Sequence, residues 1–195
     1  MPRRLEFFFD YVSPFSYLAN SQLPALAKRT GAELVYRPIL LGGVMQATGN
    51  QPPATLPARA KYMPKDIARW VRRYGVPFGF NTNFPMNTLQ AMRAALVAQD
   101  DGSFPTYHAA LFRAAWAQPV NLADANLLAD VIAKAGLDAE VLLARASTDA
   151  IKERLKANTA EAVVRGAFGA PTFFVGDEMF FGNDRLDFVE EALRA

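Results

Sequence analysis

The residues best placed to do chemistry form a short segment near the start of the chain, residues 13–16 with the sequence Ser-Pro-Phe-Ser. The segment predicts a helix start, because serine caps helices and proline fits the first helical position. A helix start offers unpaired backbone N–H groups and a partial positive charge, which stabilise an anion. A serine hydroxyl there can donate a hydrogen bond to a thiolate that another molecule supplies, but it cannot perform disulfide exchange. On these residues alone, plain capping of the helix is the simpler interpretation.

Two further segments near the C-terminus carry polar or conformationally special residues. Ala170 and Pro171 precede a strand pattern, where a cis proline would leave the backbone N–H and C=O of the preceding residue free to pair with an extended peptide. A proline that merely begins a strand is the alternative. Asn183 and Asp184 precede the last helix pattern. They are good N-caps, and an amide or carboxylate there can also hold the amino group of a ligand.

The composition removes several other kinds of chemistry. The 195 residues include no cysteine and a single histidine, His108. Without cysteine the chain has no structural disulfide, no iron–sulfur cluster, no cysteine nucleophile and no dithiol redox chemistry of its own. With one histidine a zinc site is not expected. His108 lies in a helical pattern without a partner nearby, which predicts a structural or surface role rather than catalysis. Asp10 at the end of the first strand is predicted to cap a turn rather than to tune the site.

Length and charge predict a folded chain without nucleic-acid or membrane partners. Hydrophobic residues make up 51% of the chain and charged residues 21%, which is ample material for a core. The formal net charge of +2 comes without a basic run or stripe, so nucleic acid is not an expected partner. No apolar stretch approaches the roughly 18 residues of a membrane span, and the N-terminal residues lack the pattern of a signal peptide. We therefore expect a cytoplasmic protein.

Strand and helix patterns alternate at the two ends of the chain. Helical spacing follows Pro14 and stops at Gly31, with a kink expected at Pro24, and a last helix is predicted from Asn183 to about Leu193. A helix between the first two strands makes those strands parallel neighbours. Gly-Asp at residues 176–177 predicts a hairpin turn between the last two. The predicted strands are residues 5–9, 33–40, 172–175 and 179–181.

Helical patterns fill the middle of the chain from Pro64 to about Gly166, after a turn-rich loop at residues 49–57. The candidate helices are residues 65–74, 88–99, 104–116, 122–135, 139–145 and 148–165. The order β-α-β, helical block, β-β-α is that of an α/β thioredoxin-like fold with a large all-helical insertion, and loops tolerate long insertions at little cost. We therefore predict a thioredoxin-like domain formed by residues 1–60 and 167–195 and an all-helical insertion domain at residues 61–166.

Four segments together resemble the family of 2-hydroxychromene-2-carboxylate isomerases and kappa-class glutathione transferases, which belongs to the DsbA-like thioredoxin superfamily. They are FFDYVSPFSYLA at residues 8–19, GNQPP at 49–53, FGAPT at 168–172 and FGNDR at 181–185. The four motifs span nearly the whole chain in the order of the family, which is far more specific than any one of them. The resemblance implies glutathione as a bound cofactor or cosubstrate.

The resemblance also implies roles for individual residues around glutathione. Ser13 would hydrogen-bond to the sulfur and activate it. Ala170, which precedes a cis Pro171 in the family, would pair with the cysteinyl backbone. Asn183 and Asp184 would hold the γ-glutamyl end.

The same resemblance extends to the middle of the chain. Asn50 of the GNQPP loop would contact glutathione, and Arg59 would lie near the glycyl carboxylate. Met45 stands where the isomerases can carry a lysine near the substrate carboxylate, which leaves the natural substrate open. Phe84 is a candidate substrate contact in an acceptor pocket, as are three other aromatic residues, although core packing is the favoured role for all four: Trp70, Phe78 and Phe80.

The activity that the resemblance implies is an isomerisation in the catabolism of aromatic compounds. The family interconverts 2-hydroxychromene-2-carboxylate and trans-o-hydroxybenzylidenepyruvate, and a thiolate that adds to the double bond and leaves again allows the change of geometry. A thiol with a pKa near 8.5 is only a few per cent ionised at pH 7, and lowering this pKa by about two units requires roughly 2.7 kcal/mol. A kappa-like transferase that conjugates glutathione to electrophiles and a non-catalytic glutathione- or peptide-binding module are the alternatives. Because family members are often dimers, a homodimer is expected.

Overall fold

The computed structural model describes residues 3–195, in which four strands form one mixed sheet. The strand order is β2-β1-β3-β4, with β2 parallel to β1 and the other two pairs antiparallel. The predicted thioredoxin-like fold with its helical block is therefore confirmed. The strands are β1 (Arg4–Phe9), β2 (Glu33–Pro38), β3 (Thr172–Val175) and β4 (Glu178–Phe181).

The helix predicted between β1 and β2 is two helices, so that prediction was wrong in detail. The first, α1 (Pro14–Asn20), ends before residues 21–22, and the second, α2 (Leu23–Thr30), follows at once. Pro24 lies in the first turn of α2, where proline is tolerated because its missing N–H would have no partner in any case. The proline therefore starts a new helix rather than kinking a continuous one.

Eight further helices complete the chain within residues 3–195. Three of them differ clearly from the prediction: α3 follows β2 in a segment where no helix was predicted, α4 starts at Pro57 and accommodates Pro64 in its interior, and α10 starts only at Leu186. The further helices are α3 (Leu41–Thr48), α4 (Pro57–Tyr74), α5 (Leu89–Asp100), α6 (Phe104–Phe112), α7 (Ala125–Lys134), α8 (Ala139–Ala146), α9 (Asp149–Val164) and α10 (Leu186–Arg194).

The sheet separates two apolar clusters, and the phenylalanines of β1 pack in both. Phe7 and Phe9 lie in the larger cluster with α5 and α6, where the Phe7 ring stacks on the Phe173 ring at 5.3 Å. Phe8 points to the other face, against Phe174 and α9. Because successive side chains of a strand alternate between faces, a continuous apolar run indicates a strand covered on both sides. This burial fixes the end of β1, after which residues 10–13 lead to the start of α1.

Within residues 3–195 no helix combines the length and the apolar character that a membrane crossing needs.

The division into a thioredoxin-like domain and an insertion domain with a boundary at residue 61 stays a prediction.

Candidate active site

A cavity of about 820 Å³ opens where β1, β3 and the start of α1 face helix α4 and the loop before α5. Its volume lies in the range of pockets that hold small molecules. The structure brings every predicted site residue to its wall: Ser13, Met45, Asn50, Arg59, Phe84, Ala170, Pro171, Asn183 and Asp184.

Ser13 lies at the start of α1 with extended backbone, and it is 4% exposed. Its Oγ accepts a hydrogen bond from the backbone N–H of Ser16 at 3.1 Å, so the predicted capping is confirmed. The same hydroxyl donates to the carbonyl oxygen of Ala170 at 3.0 Å. The Ala170–Pro171 peptide bond is cis, as predicted. The expectation that the carbonyl of Ala170 is free is wrong, because Ser13 occupies it.

Helix α1 is only seven residues long, since the helix predicted at this place is divided. An anion beside Ser13 would therefore need individual hydrogen-bond donors rather than the field of a long helix.

Asp10 joins three segments at the wall of the cavity. Its carboxylate is 1% exposed and accepts hydrogen bonds from the N–H of Val12 at 3.1 Å, the hydroxyl of Thr88 at 2.6 Å and the N–H of Leu41 at 2.9 Å. Burial raises the pKa of this carboxyl, while the three hydrogen bonds act in the opposite direction. The predicted turn cap is present through Val12, but the contacts with α3 and the start of α5 were not foreseen.

Asn183 lines the cavity and carries a buried donor. The residue is 3% exposed, and its Nδ2 has no hydrogen-bond partner among residues 3–195. The carbonyl oxygen of Asn183 accepts from the Tyr74 hydroxyl at 2.9 Å, so α4 holds this segment in place. Leaving a buried amide donor unpaired costs about 1–3 kcal/mol, and a ligand acceptor would remove that cost. Sequence reasoning did not single out Tyr74.

The segment around Asn183 does not cap the last helix, so that prediction was wrong. Residues 183–185 form a 3₁₀ turn, and α10 begins after it without a side-chain cap. The Asp184 carboxylate is partly exposed at the cavity wall and accepts from the Arg185 guanidinium at 2.6 Å. Gly182 adopts φ +101°, and a Cβ there would lie 2.5 Å from Asp184 Oδ1, so the turn requires glycine.

Asn50 already has partners within the protein. Its Nδ2 donates to the carbonyl oxygen of Phe168 at 2.7 Å, and its Oδ1 accepts from the N–H of Gln51 at 2.9 Å. The side chain thereby ties the GNQPP loop to the segment that leads into β3.

Arg59, at the start of α4, is the cation of the cavity wall among residues 3–195.

Helix α4 contributes one continuous face to the cavity. Arg59, Met63, Asp66 and Trp70 all line it. Their spacing of four, three and four positions is that of a single helical face. This periodicity, applied to the segment from Pro57 onward, would have identified Met63 and Asp66, which sequence reasoning missed.

The aromatic candidates divide between the cavity and the rest of the molecule. Trp70 and Phe84 line the cavity, together with Met45 of α3. Phe78 stacks on Trp116 at 5.8 Å in the core, as core packing predicts. Phe80 is 47% exposed and does not line the cavity.

His108 lies away from the cavity, buried in the larger apolar cluster. Its Nε2 lies 2.9 Å from Asn20 Oδ1, an acceptor, so Nε2 carries the proton and Nδ1 accepts from the Tyr11 hydroxyl at 3.1 Å. Burial lowers the pKa of His108 to about 3, so the imidazole is neutral at physiological pH.

Comparison with known proteins shows similarity over the full length. The chain matches the family model of the DSBA-like thioredoxin domain over residues 4–194. It is 36% identical over 195 residues to 2-hydroxychromene-2-carboxylate isomerase of Sphingobium xenophagum, with 99% of each chain covered. It is 30% identical over 202 aligned positions to glutathione S-transferase kappa 1 of Rattus norvegicus, covering 96% of this chain and 89% of the relative. A solved structure of a 2-hydroxychromene-2-carboxylate isomerase superposes with a TM-score of 0.87 at 34% identity, covering 97% of this chain and 94% of that one.

Proposed function

The chain belongs to the family of the DSBA-like thioredoxin domain, in the group of 2-hydroxychromene-2-carboxylate isomerases and kappa glutathione transferases, and we propose that it is a glutathione-dependent isomerase of the former type. The observation that carries the proposal is the meeting of the Ser13 hydroxyl, the Ala170 carbonyl and the unpaired Asn183 amide at one cavity. The greater identity to the isomerases than to the kappa transferases supports the reaction type.

The polar groups of the cavity fit glutathione one by one. Asn183 Nδ2 is a buried donor suited to a carboxylate, and the Asp184 carboxylate suits the neighbouring ammonium of a γ-glutamyl group. The guanidinium of Arg59 suits the second carboxylate of the tripeptide. The carbonyl of Ala170 accepts from the Ser13 hydroxyl, and a carbonyl oxygen has a second acceptor site for an incoming donor. These four groups give a binding role to each end of the tripeptide and to its centre.

When bound, glutathione supplies a thiolate that adds reversibly to the conjugated double bond of the substrate and leaves again, so no atom is gained or lost. Ser13 holds the sulfur with its hydroxyl and favours the ionised form. A hydrogen bond to a charged group contributes about 1.5–3 kcal/mol, which covers most of the roughly 2.7 kcal/mol needed to lower a thiol pKa by two units. Because α1 is short, Ser13 is the residue on which thiolate formation depends.

The apolar part of the cavity wall encloses the aromatic substrate. Trp70, Phe84 and Met45 offer a surface for a flat ring and keep water from the reacting carbons. Met45 brings no charge to the substrate carboxylate, and among residues 3–195 the cation of the wall is Arg59, which already suits the tripeptide. The cavity wall thus has a polar part that suits glutathione and an apolar part that suits the aromatic substrate.

A cytoplasmic homodimer is our proposal for its setting. The reaction needs reduced glutathione, and the cytosol keeps thiols reduced. The homodimer rests on the family resemblance.

The fate of glutathione decides between isomerase and transferase. With trans-o-hydroxybenzylidenepyruvate, we expect conversion to the cyclic hemiketal at glutathione concentrations far below that of substrate, with the total free thiol unchanged. S-methylglutathione, which lacks the free sulfur, serves as the control and should not support the reaction. Loss of one thiol per turnover would instead indicate a kappa-like transferase. Calorimetry that detects no glutathione binding at millimolar concentration would leave only the non-catalytic module.

A further inference from the structure

Helix α4 concentrates the positive charge of the chain. Its 18 residues include six lysine or arginine side chains and one carboxylate, that of Asp66. The whole chain has a net charge of only +2, so the residues outside α4 are net negative. A basic stripe was not expected from the sequence, because the predicted helix began at residue 65 and left out Arg59 and Lys61. The continuous helix corrects that expectation.

Three of these cations form one exposed stripe along α4: Lys61, Lys65 and Arg72. Their spacing of four and seven positions is that of a single helical face. It is a different face from the one that lines the cavity, and the three residues do not belong to the cavity wall. Among residues 3–195 the ion pair of α4 joins Arg69 to Asp66 at 4.0 Å, so the charges of the stripe have no anionic partner there.

The cavity wall itself is poorly charged for an anion. Among residues 3–195 it carries three carboxylates, those of Asp10, Asp66 and Asp184, and one guanidinium, that of Arg59. Yet the ligands of the proposed function are anions at neutral pH, because glutathione has two carboxylates and one ammonium group and the aromatic substrate has a carboxylate. A net positive potential at the entrance therefore has to come from outside the wall.

The stripe is close enough to supply that potential. An α-helix with its side chains is about 10–12 Å across, and the stripe and the cavity lie against two faces of the same helix. The screening length of charges is about 8 Å at physiological ionic strength and about 30 Å at 0.01 M. Because the stripe does not line the cavity, it acts on an approaching anion through its field rather than by contact.

We propose that Lys61, Lys65 and Arg72 steer anionic ligands towards the cavity and so select them over neutral analogues by their rate of association. Charges at the rim of a binding site change the association rate and its salt dependence more than the dissociation rate. The ligand class is a small organic molecule with a net negative charge. This inference deepens the proposed function and rests on it for the identity of the two anions.

Charge reversal of two lysines of the stripe tests the proposal. Stopped-flow fluorescence of Trp70, which lines the cavity, follows the binding of glutathione. At about 0.01 M salt we expect Lys61→Glu/Lys65→Glu to associate with glutathione about threefold more slowly than wild type, with the dissociation rate little changed. At about 0.5 M salt both proteins should associate at the same rate, because salt screens the stripe.

Two controls separate the field of the stripe from other effects. Lys28→Glu/Lys134→Glu makes the same change of net charge on exposed residues of α2 and α7, which do not line the cavity, and should leave the association rate close to that of wild type. The glycyl monoethyl ester of glutathione has no net charge. It should associate equally fast with wild type and with Lys61→Glu/Lys65→Glu.

Three results would overturn the inference while leaving the proposed function intact. They are an unchanged association rate in Lys61→Glu/Lys65→Glu at low salt, an equal slowing in both double variants, or an equal slowing for glutathione and its neutral ester. Failure of wild type to bind glutathione would defeat the proposed function itself.

Discussion

Two buried polar clusters begin at adjacent residues at the end of β1 and differ in what they face. The cavity cluster consists of Asp10, Ser13 and Thr88 and faces the candidate active site. The core cluster consists of Tyr11, Asn20 and His108 and is enclosed by aromatic rings, among them Phe9 and Tyr36. Polar atoms of the core cluster satisfy one another, while the cavity holds the unpaired amide of Asn183.

The comparison teaches that a perturbed pKa does not by itself locate an active site. His108 has its pKa lowered to about 3, a departure as large as those of catalytic groups, yet burial alone causes it and His108 does not line the cavity. Ser13 has no charge to shift, and its function is inferred from the cavity and from its hydrogen bonds. Access to a ligand is what distinguishes the two clusters.

The two clusters also oppose each other in the pH dependence of stability. His108 has a lowered pKa in the folded state, so the unfolded chain binds its proton first and stability falls as the pH drops from about 6.5 towards 3. Asp10 has a raised pKa, so the folded chain binds its proton first. Its contribution to stability is greatest below the unfolded value of 3.8 and is lost as the pH rises through the raised value.

The largest effect is expected from Ser13→Ala in the cavity cluster. Loss of the hydroxyl that we propose holds the sulfur should lower turnover about 100- to 1,000-fold, as removal of one donor to a developing anion does elsewhere. Folding should lose the cap, about 1 kcal/mol, and the buried hydrogen bond to the Ala170 carbonyl, about 1–3 kcal/mol. Steady-state isomerisation rates and urea unfolding measure the two quantities. Wild-type turnover in the folded variant would contradict the assignment of Ser13.

The second effect concerns the core cluster and appears in acid. His108→Gln keeps a polar side chain between Tyr11 and Asn20 but cannot titrate. Between pH 7 and pH 4.5 wild type should lose about 3 kcal/mol more unfolding free energy than this variant, because each pH unit below the unfolded pKa contributes about 1.4 kcal/mol. Urea unfolding at both pH values tests this, and turnover at pH 7 should be retained. An equal loss in both proteins would show that His108 is not held neutral by the fold.

The smallest effect is expected where the cavity cluster joins the helical block. Thr88→Val removes the hydroxyl that donates to Asp10 at 2.6 Å and keeps the shape of the side chain. We expect a loss of about 1–2 kcal/mol in unfolding free energy at pH 7, because a buried carboxylate loses one of its three donors. Thr88→Ser retains the hydroxyl and is the matched control. A loss of stability in Thr88→Ser but not in Thr88→Val would show that methyl packing, which Val keeps, matters rather than the hydrogen bond to Asp10.

The sequence predicted most of the fold because its cues are local. The Phe-Phe-Phe run of β1, the helical spacing of residues 89–100 and 149–164, and the hairpin at Gly176 can each be recognised within a few residues. The errors arose where local cues conflict with packing. Helix α3 contains two adjacent glycines and lacks a side-chain cap, and its Leu41 and Val44 are instead held by the smaller apolar cluster.

For the site, the sequence by itself determined which residue types are present and which chemistry is absent: a capping serine, a proline before β3, an Asn-Asp pair, and no cysteine. Only the tertiary structure decided what each side chain contacts. Ser13 and Ala170 are 157 positions apart, and Asp10 and Thr88 are 78 apart. Serine, asparagine and aspartate can all satisfy their hydrogen bonds locally, so their sequence neighbours permit either a cap or a ligand contact. Burial and the approach of distant segments remove one of these options, and neither is encoded in any short stretch of the chain.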